Sequence, residues 1–178
     1  GWGTEKMEEQ LREICPKTEV VRLDTDTVAG AWSHDVLLNK FKDEKIPILV
    51  GTQMVTKGLD FPNVTLVGVL MADQSLYAGD YRASERTFSL ITQVVGRSGR
   101  GEVPGRAVIQ TFTPQNQVIM QAAQQDYDSF YSSELEMRRL QWCPPFSDLF
   151  SVTAVGQNET AVLRSLNTAK RILTKELS

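Results

Sequence analysis

Two short runs of apolar residues constrain the fold of this chain more than any other feature. Residues 46–50 read IPILV, and residues 64–71 read VTLVGVLM. Each run has the length of a β-strand, and neither shows the regular alternation of apolar and polar residues that a strand with one wet face would have. Strands that are apolar on both faces are typical of a parallel sheet buried between helices.

The sequence around these runs predicts helices and further strands. Apolar residues recur at three- and four-residue steps in residues 4–14, 31–42 and 81–100, which places them on one face of a helix. Short strands are predicted at 19–23 and 106–112. Because strands and helices alternate, we expect an α/β fold whose parallel sheet lies between helices and has right-handed crossovers.

The pattern changes after Pro114. Residues 116–125 and 126–140 predict two consecutive helices, and CPPF at 143–146 is a break that no helix can cross. A strand at 149–155 and a helix at 159–176 follow. We therefore divide the chain into an α/β lobe, a helical connector and the truncated beginning of an α+β C-terminal domain, with bounds 1–114, 115–142 and 143–178.

Composition excludes several classes of protein. No run of about 18 apolar residues is present, so no membrane span is expected. Cys15 and Cys143 stand far apart and lack a C-x-x-C spacing, which argues against a metal site or a disulfide framework and favours a reducing, cytoplasmic location. Because the net charge is −3, contacts with nucleic acid would need local groups rather than a general positive field.

The stretch QVVGRSGRG, residues 93–101, places two arginines close together among glycines. If the predicted helix continues to Arg100, Arg97 and Arg100 share one face. They could simply stabilise a helix C-terminus, an effect of about 0.3–1 kcal/mol. Gly96 and Gly99 each cost a helix up to about 1 kcal/mol, however, and they would let another surface approach. A guanidinium made accessible in this way suits a phosphate, which it binds with two hydrogen bonds.

A second glycine-containing stretch, GTQMVTKGLDFPNV, follows the first apolar run at residues 51–64. Ligands in open α/β sheets bind at the carboxyl ends of strands. Gly51 and Gly58 permit close approach of the backbone. Thr52 and Gln53 offer hydrogen bonds, and Asp60 can accept one from a hydroxyl or a metal-bound water. The alternative is an ordinary crossover loop in which Asp60 caps a local turn.

These two stretches resemble motifs V and VI of the superfamily 2 helicases. The ordered set GWGTEKMEE, RLDTDT, ILVGTQMVTKGLDFPNVTLVGVLMAD, YRASERTFSLITQVVGRSGRG and CPPFS narrows the resemblance to the replication-restart DNA helicases of that superfamily, over essentially the whole chain. The resemblance implies that residues 1–114 form the second RecA-like helicase lobe. Neither a G-x-x-x-x-G-K-[ST] loop nor a D-E-x-H-like box occurs in this sequence, so the first lobe is missing and the chain alone is expected to hydrolyse no ATP.

The resemblance also assigns roles to the residues of both motifs. Arg97 and Arg100 match the catalytic arginine fingers, which reach the phosphates of a nucleotide bound on the first lobe. Four other residues match positions that bind or sense the nucleotide: Gly58, Asp60, Gln93 and Gly96. Thr52 and Gln53 match positions that face the nucleic-acid backbone.

For the full-length protein, the resemblance implies a 3′-to-5′ DNA helicase that recognises stalled forks and restarts replication by assembling the primosome. It implies ATP with Mg²⁺ between the two lobes, and zinc in a cysteine-rich module before Gly1. The implied partners are forked and single-stranded DNA, other primosome proteins and the single-stranded DNA-binding protein, without a membrane. Two alternatives stay open: a protein-docking module whose helicase motifs are relics, and a lobe of an RNA helicase.

Overall fold

Strands and helices alternate through the first two thirds of the chain. The computed structural model describes residues 3–24, 34–52, 63–96 and 104–176. Its helices are α1 Thr4–Ile14, α2 His34–Asp43, α3 Ala83–Val95, α4 Gln117–Ala123, α5 Tyr127–Leu140 and α6 Glu159–Glu176. Its strands are β1 Val20–Leu23, β2 Ile48–Gly51, β3 Leu66–Val69 and β4 Arg106–Ile109, and a short 3₁₀ helix spans Ala72–Ser75. The predicted α/β class is confirmed.

The four strands form two parallel pairs. β1 pairs with β2 from Val20↔Ile48 to Leu23↔Gly51. β3 pairs with β4 from Leu66↔Arg106 to Val69↔Ile109. The chain passes through α2 between β1 and β2 and through α3 between β3 and β4, which is the helical crossover that parallel pairing requires.

The chain divides into two compact units, residues 1–134 and 135–178. The larger core of the first unit joins the 3₁₀ helix to α3, α4 and α5, and its buried residues are Ala72, Phe88, Ile91, Ile119, Ala122 and Phe130. The rings of Phe88 and Phe130 stack with their centroids 4.0 Å apart, an arrangement that aromatic pairs favour. A smaller core beside β1 and β2 contains Val21, Phe41 and Ile46. The sequence-based boundaries at residues 114 and 142 stay predictions.

Two expectations about the first unit need correction. The helix predicted over 81–100 begins at Ala83 and ends at Val95, and Gly96 is its C-cap; residues 97–100 lie outside the described part of the chain. The strands were expected to be buried on both faces. β1 is, but residues of β3 and β4 alternate between half-buried and exposed. Val69 and Ile109 pack on the core with α3, whereas Leu66 and Val108 are exposed, because α3 covers one face only.

The second unit contains the last residues of α5, a turn, an extended segment and α6. Cys143 is buried in the turn, as expected for an apolar rather than a reactive role, and the Pro144–Pro145 peptide bond is cis. The strand predicted at 149–155 is wrong: these residues form no strand. An isolated strand leaves its backbone groups without a ladder, and no strand in the described ranges pairs with this segment. The helix predicted at 159–176 is confirmed.

Candidate functional site

The carboxyl ends of β1 and β2 lie side by side and bring two polar residues to one edge. Since Leu23 pairs with Gly51, the next residues, Asp24 and Thr52, are neighbours across the pair. Thr52, predicted to face a nucleic-acid backbone, is exposed at this edge. Its predicted partner in that role, Gln53, lies outside the described residues.

Asp24 is a buried carboxylate that sequence reasoning did not single out. It accepts a hydrogen bond from the hydroxyl of Thr4, the first residue of α1. The Arg22 Nε atom lies 3.5 Å from Asp24 Oδ2 and 3.4 Å from Glu8 Oε2. These contacts tie α1 to the end of β1. The positive charge of Arg22 offsets the carboxylates of Asp24 and Glu8.

A second buried carboxylate, Asp73, joins the carboxyl ends of β3 and β4. It stands four residues after β3, and its oxygens accept hydrogen bonds from the hydroxyls of Thr111 and Thr113, both at 2.6 Å, and from the backbone N–H of Phe112 at 2.8 Å. The bond from Thr111, followed by the one from Thr113, outweighs the opposing effect of burial and lowers the pKa of Asp73 from 3.8 to about 2. The carboxylate is therefore ionised at neutral pH and holds the segment after β4 in place.

Asp73 also escaped the sequence analysis, although a signal for it exists. An aspartate follows one apolar run, and two threonines, Thr111 and Thr113, lie at the end of the next predicted strand and just after it. Once β3 and β4 are known to be paired and parallel, these residues must meet at one edge. The pairing itself was not predicted, because the sequence specifies the strands but not which of them are neighbours.

At the amino ends of β3 and β4, the described chain reaches two paired strands at one edge. Arg106 N–H donates to the carbonyl oxygen of Thr65 at 2.8 Å, so the chain arrives at both strands at the same edge. Residues 53–62 precede β3 and residues 97–103 precede β4 in the sequence. Four predicted nucleotide or catalytic residues belong to these segments and lie outside the described part of the chain: Gly58, Asp60, Arg97 and Arg100.

The last turn of α3 supplies the two remaining predicted site residues. Gln93 is exposed and Gly96 is half-buried. Gly96 has an ordinary right-handed conformation, so its glycine is not required by the backbone angles. An added Cβ would lie 3.1 Å from the carbonyl oxygen of Thr92 and 3.6 Å from Nε2 of Gln125. The groups next to Gly96 are thus the backbone of its own helix and the Gln125 side chain, and the approach of another surface at this glycine stays a prediction.

The described residues place limits on metal and membrane sites. In the ranges 3–24, 34–52, 63–96 and 104–176, no group of three or more His, Cys, Asp or Glu side chains is arranged to hold a metal ion. Cys15 is half-buried in the first unit and Cys143 is buried in the second. None of the helices in these ranges has the length and apolar character needed to cross a bilayer.

Comparisons with known proteins agree with the alternating strands and helices of the first unit. The profile of the helicase conserved C-terminal domain family matches residues 3–102. Replication restart protein PriA of Bacillus subtilis (strain 168) is 47% identical over 172 residues, which make up 97% of this chain and 21% of that protein. The proteins of the same name from Chlamydia trachomatis and Synechocystis are 44% and 41% identical over 177 residues, or 99% of this chain. The chain spans between a fifth and a quarter of the length of these curated relatives.

Proposed function

The chain belongs to the helicase conserved C-terminal domain family, and we propose that it is the second motor lobe, with the segment that follows it, of an ATP-dependent 3′-to-5′ DNA helicase that restarts replication at stalled forks. The similarity to replication restart proteins over 97–99% of the chain supports this assignment. A helicase of this kind would act on forked and single-stranded DNA in the cytoplasm, together with other primosome proteins and the single-stranded DNA-binding protein.

The pairing of β3 with β4 is the observation that carries the proposal. Residues 53–62 hold Gly58 and Asp60, and residues 97–103 hold Arg97 and Arg100. These segments are far apart in the sequence, and the strands that follow them are paired in parallel from Leu66↔Arg106 onward. We propose that this edge faces a nucleotide bound on the first lobe, with both arginines directed at its phosphates and Gln93 linking nucleotide state to the interface between the lobes.

The carboxyl ends of the other strand pair, β1 and β2, support a separate role in DNA binding. Thr52 is exposed where β2 ends, beside Asp24, whose charge is offset by Arg22. A neutral hydroxyl can donate to a phosphate without the general positive charge that this acidic chain lacks. We propose that Thr52 and Gln53 contact the backbone of a DNA strand.

The residues of this chain fit only part of the proposed cofactor set. Without a phosphate-binding glycine loop and its lysine, the chain cannot hold ATP and Mg²⁺ alone; its share of the site is the two arginines with Gly58, Asp60 and Gly96. Two cysteines in different units, Cys15 and Cys143, do not fit a zinc site. Zinc in the full-length protein would therefore need ligands from outside this chain.

Steady-state ATPase and unwinding assays on the full-length protein test the proposal. We expect ATP hydrolysis to be stimulated by single-stranded DNA, and forked DNA to be unwound in preference to duplex RNA of the same sequence. The isolated chain should hydrolyse no ATP with or without DNA. Preferential unwinding of RNA would favour an RNA helicase, and full-length protein that binds replication proteins but lacks any DNA-stimulated ATPase would favour a docking module.

A further inference from the structure

A group of exposed aromatic and cationic side chains at the carboxyl ends of β3 and β4 has no role in the motifs considered above. The geometry points to a second contact with single-stranded DNA at this position, which we name the aromatic edge and define as Tyr77, Arg82 and Phe112. This inference rests on the proposed function, because it adds a binding surface to a lobe already taken to move on DNA. Tyr77 and Phe112 would stack on bases, and Arg82 would bind a phosphate.

Phe112 is exposed, and the backbone that carries it is held by hydrogen bonds. Its side chain is 85% exposed, although its backbone N–H donates to the buried carboxylate of Asp73 at 2.8 Å. The neighbouring threonines, Thr111 and Thr113, donate to the same carboxylate. The backbone is thus fixed on both sides of a ring that contributes little to the core, and a ring held outward costs little further conformational entropy on binding.

Tyr77 stands on the other side of the same carboxylate. It follows the 3₁₀ helix that contains Asp73, and it is 68% exposed. This turn is fixed to α3 by the hydrogen bond between the hydroxyls of Ser75 and Thr87 at 2.8 Å, and Thr87 is fully buried. Tyr77 and Phe112 therefore project from two segments that Asp73 joins directly, so they lie at the same edge of the sheet.

Arg82 adds a positive charge at the N-cap of α3, the helix to which the turn before Tyr77 is fixed. Its Nε–H donates to the Tyr81 hydroxyl at 2.8 Å, and its guanidinium carbon lies 5.2 Å from the centroid of the Tyr81 ring. Within the ranges that the structure describes, Arg82 forms no ion pair with a carboxylate. The adjacent Arg86 differs, because it is paired with Asp80. Arg82 thus keeps guanidinium N–H groups for an anion, in an orientation that Tyr81 restricts.

The composition of the aromatic edge favours a nucleic-acid strand over a protein partner. Proteins that bind single strands combine aromatic rings, on which successive bases stack, with cationic groups that contact the phosphates. A protein-docking site would more commonly be one contiguous apolar patch. At this edge two exposed rings stand on separate segments, and the Arg82 guanidinium, which contacts the Tyr81 ring and hydroxyl, lies near the start of α3. A DNA strand that passes the carboxyl ends of the strands would meet all three side chains.

The test measures DNA affinity of the nucleotide-free, full-length protein by fluorescence anisotropy with a labelled oligothymidylate, over a range of salt concentrations. Tyr77→Ala and Phe112→Ala should each weaken binding by about 5- to 100-fold, the range expected for loss of one stacked base. Tyr77→Phe keeps the ring and should bind like the wild type. Arg82→Ala should reduce the slope of log affinity against log salt by about 0.7, the value for one phosphate contact to a single strand.

Two matched variants serve as controls. Phe150 is 83% exposed in the second unit, and Arg12 lies at the last turn of α1 with its side chain 60% exposed. Phe150→Ala and Arg12→Ala should leave both the affinity and the salt slope unchanged. Losses in these controls as large as those in the three test variants would overturn the inference, since they would reflect a general effect of removing exposed rings or charge.

The remaining outcomes separate this inference from the proposed function. Wild-type affinity in Tyr77→Ala, Phe112→Ala and Arg82→Ala overturns it. Wild-type affinity combined with a lowered melting temperature also overturns it, because the rings would then pack on another part of the protein. If the wild type binds DNA and shows DNA-stimulated ATPase while the variants are unchanged, only the aromatic edge is rejected. A wild type that does neither rejects the proposed function itself.

Discussion

The two ends of the β3–β4 pair differ in how the chain is held and in the chemistry it carries. At the carboxyl end, Asp73 collects hydrogen bonds from three residues that follow β4. Exposed polar and aromatic side chains, among them Tyr77 and Phe112, lie near this buried carboxylate. The amino end follows, in the sequence, residues 53–62 and 97–103, which carry the glycines, aspartate and arginines that resemble helicase motifs V and VI.

We propose that this difference separates two ligands along one short piece of sheet. Each strand of the pair has four residues, so its two ends lie only about 10 Å apart. We place the nucleotide at the amino end and DNA at the carboxyl ends of the strands. If that division is right, substitutions at one end should change ATP turnover, and substitutions at the other should change DNA affinity or local stability.

The largest expected effect is at the amino end. In the full-length protein, Arg97→Ala or Arg100→Ala should lower kcat for ATP hydrolysis by about 10³- to 10⁵-fold, because an arginine finger stabilises charge that develops in the transition state. DNA affinity without nucleotide should stay at the wild-type level. Steady-state ATPase with saturating DNA measures the first quantity, and anisotropy measures the second.

Two further variants sharpen this prediction. Arg97→Lys should fail to restore turnover, since an ammonium cannot reproduce the planar guanidinium fork. Arg12→Ala is a matched control, because the Arg12 side chain is 60% exposed at the last turn of α1 and belongs to neither motif. Unchanged kcat in Arg97→Ala and Arg100→Ala would favour a helix-capping role for the two arginines. It would also reject a nucleotide site at the amino end of the β3–β4 pair.

Elements set by local pattern could be predicted from the sequence, whereas pairings between distant segments could not. Apolar runs and helical periodicity were sufficient to identify β1 to β4 and α1 to α6 in the described part of the chain, since these patterns are local. The predicted helix over 81–100 was too long at both described ends, because residues 81–82 are a turn and Gly96 ends the helix. The strand at 149–155 was wrong because a strand also needs a partner, which local pattern does not reveal.

Site residues divide in the same way. Thr52, Gln93 and Gly96 could be named from motifs, because each belongs to a recognisable stretch of sequence. Asp73 could not, since its partners Thr111 and Thr113 are 38 and 40 residues away and meet it only through the register of β3 and β4. Interactions fixed by tertiary pairing leave a weak signal in a single sequence.

The second prediction concerns stability at the carboxyl end. Asp73→Ala should lower the free energy of unfolding by about 2–4 kcal/mol, because it leaves two hydroxyls and one backbone N–H without their acceptor in a buried place. Chemical denaturation followed by circular dichroism measures the change. Asp80→Asn is the control: Asp80 pairs with Arg86 at the surface, where ion pairs contribute little, so its loss should have a much smaller effect.

The pH dependence of stability gives an independent check on Asp73. Its pKa is lowered from 3.8 to about 2 in the folded protein, so the ionised form is favoured by folding. Its stabilising contribution should be complete above pH 4 and should decline as the pH falls from 4 to 2. Asp73→Asn should remove this part of the pH dependence. A variant whose acid transition matches that of the wild type would show that the carboxylate does not hold this edge together.

The smallest expected effect tests whether the two ends communicate. Residues 51–64 run from the carboxyl end of β2, where Thr52 is exposed, towards the amino end of β3, and Asp60 lies between them in the sequence. If Thr52 contacts DNA and Asp60 contacts nucleotide, this one segment is a short physical route by which binding of one ligand could affect binding of the other. Such coupling requires two conformations that each ligand binds differently.

Thr52→Ala in the full-length protein should weaken binding of single-stranded DNA by about 0.5–1.5 kcal/mol, the net value of one hydrogen bond. It should also lower ATPase at saturating DNA, while basal ATPase changes little. Asp60→Ala should do the reverse, since it should impair turnover and leave nucleotide-free DNA affinity near that of the wild type. Paired measurements of anisotropy and ATPase, with and without DNA, distinguish these patterns. If Thr52→Ala weakens DNA binding but turnover at saturating DNA equals that of the wild type, the segment binds DNA without transmitting the event, and the carboxyl end of β2 and the amino end of β3 work independently.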